Sequence, residues 1–170
     1  MLPPVSSAAV IALVAGLATA TVIDLRTRRI PNDLTAAMVG VGLGLAATGT
    51  SGITVAASFA GFFLGLALMM PGYALGATGA GDVKLMGAVG AIVGPALVVS
   101  AFLFTAIAGG VLAVIVATRR QRLAATLAQT GQLVTGPATA PNKIRSAAGS
   151  SRFAYGPAIA AGSVVAVLLA

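Results

Sequence analysis

The charge in this chain is confined to short stretches between long apolar runs, and that confinement limits what the chain can become. The apolar segments cover roughly 5–23, 34–48, 53–75, 83–94, 95–117 and 154–170. Several reach the ~20 residues that a bilayer-spanning helix needs. A water-soluble domain carries about 25% charged residues, and this chain has 8%. Runs such as Val10-Ile11-Ala12-Leu13-Val14-Ala15 do not alternate as the strands of a membrane β-barrel must. The reading is therefore all-α: one polytopic, membrane-embedded domain over residues 1–170, with the lipid bilayer as its partner. Ala18-Thr19-Ala20 imitates a leader cleavage site, but residues 1–10 hold no Lys or Arg. Without that positive region, 5–23 is expected to stay as a transmembrane helix.

Six segments place alternate connections on opposite sides of the membrane. The first, third and fifth connections carry Arg26, Arg28 and Arg29, then Lys84 at a segment edge, then Arg119, Arg120, Arg122, Lys143, Arg145 and Arg152. These are all ten basic residues of the chain. Basic residues favour the cytoplasmic side, so six helices are expected with both termini external, in the inner membrane. The fourth segment, 83–94, is a helix of only about 18 Å, against a hydrocarbon core of ~30 Å. Gly94-Pro95 should break the helix there, and so short a segment is expected to be packed within protein. Residues 118–153 form a basic cytoplasmic loop. Leu123 and Leu127, four apart, fit an amphipathic helix over 119–134. Gly40-Val41-Gly42-Leu43-Gly44 and Gly61-Phe62-Phe63-Leu64-Gly65 look like helix-packing surfaces.

The net charge of +7 does not point to nucleic acid, because the basic residues lie where topology signals lie. No aromatic-rich polar patch offers bases a stacking surface. With no His and no Cys, the chain cannot build Ser-His or Cys-His nucleophile pairs or the usual zinc sites. No metal and no cofactor is expected. The acids are Asp24, Asp33 and Asp82. Asp24 closes the first apolar segment, where a carboxylate is a functional candidate by default; pairing with Arg26 or Arg28 is its structural explanation. Pro31-Asn32-Asp33 reads as the start of the second helix, with Asn32 as cap and Asp33 at the positive dipole end. In Gly79-Ala80-Gly81-Asp82-Val83-Lys84, Gly79 and Gly81 permit a tight turn and the close approach of another backbone. Asp82 stands where the next helix begins, and plain capping would explain it. Lys84 reads as a cytoplasmic anchor.

The topology brings Asp24 and Asp82 to one cytoplasmic boundary. Two facing carboxylates that share a water can hydrolyse an amide: the ionised one takes a proton from water and the protonated one polarises the carbonyl. Like charges held close do not both ionise easily, so the pair retains a proton. Intramembrane carboxylates also serve proton-coupled transport, and a transporter using both acids as relays is the alternative.

Asp24 through Asn32 (D-x-x-x-x-x-I-P-N) and Gly79 through Met86 (G-A-G-D-V-K-L-M) resemble the two signature motifs of type IV prepilin peptidases. Gly87-Ala88-Val89-Gly90 continues the second motif, and Tyr155-Gly156-Pro157-Ala158-Ile159-Ala160 resembles the family's final-helix motif. The resemblance implies that Asp24 and Asp82 are the catalytic aspartates of an aspartic endopeptidase. It implies as substrates pilin-like precursors, cleaved at the end of a short basic leader. The absence of cysteines and of room for a methyltransferase domain resembles the short, peptidase-only branch of tight-adherence pilus systems, with preflagellin peptidases and secretion-system pseudopilin processing as the alternatives.

Overall fold

The computed structural model describes residues 6–119 and 155–170. Every regular element among them is a helix: α1 (Ser7–Thr27), α2 (Asn32–Ala47), α3 (Val55–Ala74), α4 (Ala80–Arg119) and α5 (Gly156–Leu168). The expected basic loop at 118–153, with its amphipathic helix, falls almost wholly outside the described residues. By length and composition α1, α3 and the stretch Ala80–Leu112 of α4 are able to cross a membrane. The other two helices, α2 and α5, are apolar but have only 16 and 13 residues.

The two segments expected on either side of Gly94-Pro95 are joined in one 40-residue element, α4. It is not a continuous helix. Gly94 sits at φ 82° and ψ 176°, a conformation that residues with a Cβ rarely adopt. Pro95, next in line, has no N–H to give to the helical ladder. The break divides α4 into a half before Gly94 and a half after Pro95.

Side-chain caps start two helices: Ser6 Oγ accepts the Ala9 N–H at 3.2 Å and Thr54 Oγ1 accepts that of Ala57 at 3.1 Å. At the end of α1, Arg28 turns into the left-handed region (φ 53°), and its N–H donates to the Asp24 carbonyl at 2.8 Å. The expected cap of α2 is shifted by one residue. Pro31 holds the cap position and Asn32 is the first helical residue, which frees its side chain for another contact.

The first half of α4 is the centre of the structure. Val83, Leu85, Met86, Ala88, Val89, Ala91, Ile92 and Val93 are buried there, with α2 and α3 packed against the segment. Polar backbone at bilayer depth is tolerated where protein surrounds it, and this segment meets that condition. Its neighbours approach through small residues. A Cβ on Gly61 would run into the Gly90 carbonyl, and a Cβ on Gly90 into that of Gly61. Beside this contact the buried Ser58 Oγ donates to the Ala91 carbonyl at 2.6 Å. From the other side, a Cβ on Gly42 would stand 2.8 Å from the same carbonyl oxygen. Gly40 and Gly44, which the sequence grouped with Gly42, face open space. Large apolar side chains such as Ile11, Phe63, Leu103 and Ile107 point outward. Lipid is as apolar as leucine, so helices in a bilayer gain from close van der Waals packing rather than from hiding bulk.

This arrangement separates glycines that are alike in sequence. We predict that Gly61→Val destabilises the protein by about 1–3 kcal/mol, the usual cost of overpacking. Gly44→Val should stay within about 0.5 kcal/mol, as surface substitutions do. Thermal unfolding of the detergent-solubilised variants measures both, and equal effects would contradict the packing described.

Candidate active site

The buried face of α1 consists of Ala9, Leu13, Leu17, Ala20 and Asp24. The three- and four-residue spacing keeps these on one side of the helix, so Asp24 inherits the direction of an apolar stripe. Its side chain is carried into the protein and only 4% of the residue is exposed. The expected pairing with Arg26 or Arg28 is not what holds it; both arginines are exposed. Asp24 Oδ2 instead accepts the backbone N–H of Gly156, the first residue of α5, at 2.9 Å. A Cβ at position 156 would come within 2.8 Å of that oxygen, so a side chain there would press on the carboxylate.

Asp82 is set by its own turn. The Gly79 carbonyl accepts the N–H groups of Asp82 and Val83 at 3.1 and 3.2 Å as α4 starts. Asp82 Oδ2 reaches back to accept the Gly79 N–H at 2.9 Å. A carboxylate on the third helical residue that binds the N–H of the capping residue is half of a capping box. The structural explanation of Asp82 therefore holds, alongside whatever else the residue does. Asp82 is 8% exposed. Each acid thus commits Oδ2 to a backbone N–H, and among the described residues no hydrogen bond occupies either Oδ1.

The two motifs meet. A Cβ on Gly81 would lie 3.1 Å from the Ile30 Cβ, so the glycine turn packs directly on the segment between α1 and α2. One turn into α4, Lys84 Nζ donates to Asn32 Oδ1 at 2.8 Å. Asp82 lies within electrostatic reach of Asp24 and also of Tyr155, the residue before α5. The Tyr155 ring covers Gly109 in the second half of α4, and its hydroxyl donates to the Thr105 carbonyl at 3.5 Å. Asp33, by contrast, is exposed in the first turn of α2. Among the described residues no three His, Cys, Asp or Glu side chains gather where they could share a metal ion.

Of the supporting residues, Gly79 binds the Asp82 carboxylate, Gly81 packs on Ile30, and Lys84 ties to Asn32 across the two motifs. The reading of single residues missed Gly156, because its contribution is a main-chain N–H that no side-chain pattern advertises. The available signal was Tyr-Gly-Pro at the start of an apolar segment. Chemically, two buried carboxylates, each steadied through one oxygen, leave the other oxygen to accept or deliver a proton at this end of the helices.

The family model for the type IV leader peptidase family matches residues 11–114, more than half of the chain. The matched region contains Asp24 and Asp82, and it ends before Tyr155 and Gly156. No curated protein and no solved structure matches the chain.

The tie between the motifs is open to a double-mutant cycle. Lys84→Met and Asn32→Ala should each cost about 0.2–1 kcal/mol of stability, the range for an exposed charged contact. The double variant should lose no more than the larger single loss. Additive losses would mean that the 2.8 Å contact contributes nothing.

Proposed function

The chain belongs to the type IV leader peptidase family, and we propose that it is an aspartic endopeptidase acting on pilin-like precursors. The reaction is removal of the basic leader at the cytoplasmic boundary of the bacterial inner membrane, with Asp24 and Asp82 as the catalytic pair. The observation that supports this most directly is the burial of both carboxylates where α1 ends and α4 begins, each with one oxygen that bonds to none of the described residues.

One carboxylate, ionised, takes a proton from water, and the hydroxide adds to the scissile carbonyl carbon. The other, protonated, gives its proton to the carbonyl oxygen. The tetrahedral intermediate collapses as the first carboxyl returns its proton to the leaving nitrogen and the second takes one back from a hydroxyl of the intermediate. This breaks the C–N bond and yields a new carboxyl group on the leader and a new amine on the pilin. No step calls for a thiol or an imidazole. The precursor joins a charged leader to an apolar helix, so its scissile bond comes to rest at the boundary where such a pair would work. The space beside Gly79 and Gly81 that an extended substrate backbone was expected to use is taken by the Asp82 carboxylate and by Ile30. No observation favours the transporter reading.

Cleavage of a co-expressed pilin-like precursor tests the assignment. Asp24→Asn and Asp82→Asn should each reduce the rate by about 10²–10⁴-fold, the usual contribution of a general acid or base. Asp33→Asn should keep most of the activity. Full activity in either of the first two variants would dismiss the catalytic pair.

Orientation is tested separately. The chain has no native cysteine, so single introduced thiols report unambiguously. Thr50 is exposed whereas its neighbour Ser51 is buried, which makes Thr50 the site to label. Thr50→Cys should react with an impermeant reagent from outside and Ser146→Cys only from the cytoplasm. Reaction of both from one side would reject the proposed topology.

A further inference from the structure

We infer that the start of α5, a segment beyond the family match, is a working part of the peptidase site: the Gly156 N–H is a positioning group for Asp24. The inference rests on the proposed function, because a positioning group matters only if Asp24 reacts.

Asp24 lies in the last turn of α1, and the bond that its carboxylate oxygen makes goes to a residue 132 positions away. The match between the two partners is chemical. The first amides of a helix have no acceptor within the helix, and the helix dipole places positive potential at that end. A carboxylate is the natural partner for both. The contact is also fitted in shape, because a Cβ at 156 would sit 2.8 Å from Oδ2 and 3.2 Å from the Asp24 Cβ.

The donor is itself held in place. Pro157 in the first turn restricts the backbone beside it. Tyr155 lays its ring over Gly109 and binds the Thr105 carbonyl, which ties the start of α5 to the second half of α4. One turn and more along α5, a Cβ on Gly162 would collide with the Thr105 backbone, so the two helices are seated against each other. Asp24 is thus located from two directions: its Cα by α1, and its Oδ2 by α5 through α4. Asp82 takes its Oδ2 partner from its own turn and needs no such support.

The test is steady-state cleavage of a pilin-like precursor by the purified full chain. Gly156→Ala keeps the N–H but presses a methyl group on Oδ2. It should lower kcat about 10–100-fold, since a misplacement of about 1 Å costs up to ~10². KM should stay within twofold and the unfolding temperature should hold. Gly110→Ala, whose Cβ meets open space, should leave all three unchanged. Unaltered kcat in Gly156→Ala would overturn the inference, as would a proportional loss of kcat and thermal stability. A second readout does not depend on how Gly156→Ala folds. In 15N-glycine-labelled protein the Gly156 amide proton should move upfield in Asp24→Ala, and an unmoved resonance would overturn the inference. The two proposals fail differently. Full activity in Asp24→Asn or Asp82→Asn removes the peptidase reading, whereas loss in those variants with full activity in Gly156→Ala removes only the role of α5.

Discussion

The distance between two backbones governs this structure. Where α3 crosses the first half of α4, Gly61 and Gly90 stand so close that neither has room for a methyl group. Bulky side chains such as Leu85, Met86 and Ile92 are buried along this segment, but the crossing point itself is made of glycines. Close approach allows many weak contacts to act together. It also lets Ser58 reach a carbonyl of the opposite helix at 2.6 Å. The half-helix gripped in this way runs from Ala80 to the Gly94 break and carries Asp82 in its first turn.

The acids solve one physical problem in two related ways. A buried carboxylate has lost the water that stabilised its charge, and protein groups must replace that water. Both carboxylates find a helix start. Asp82 begins its own helix and turns back to the capping N–H; Asp24 ends one helix and receives the first N–H of another. In each case an amide that the helix leaves unpaired is joined to an oxygen in need of a donor. Among the described residues only one oxygen of each acid is used in this way.

Much of this was legible in the sequence. The apolar runs correspond to the helices, and the Gly94-Pro95 step does interrupt α4. The two acidic motifs do pack together, through Ile30 on Gly81 and Asn32 on Lys84. What escaped the reading has definable causes. Gly42 packs while Gly40 and Gly44 do not, because two residues along a helix is half a turn and a string of glycines does not say which face turns inward. Asn32 was expected to cap its helix, and one residue's shift in the start of α2 gave its side chain to Lys84. The arginines beside Asp24 suggested an ion pair, but they lie off the stripe formed by Leu13, Leu17 and Ala20. Gly156 was hardest to foresee, since its hydrogen bond comes from the main chain and depends on tertiary position alone.

The bond between Asp24 and Gly156 also has a bearing on time. The ribosome makes Asp24 long before Gly156, which follows it by 132 positions. Throughout that interval α1, α2, α3 and α4 emerge in order, while the amide that receives the carboxylate has not yet been synthesised. The half-made protein carries both acids, but Asp24 lacks the neighbour that steadies it. Whatever depends on a steadied Asp24 carboxylate therefore waits until the start of α5 has been made.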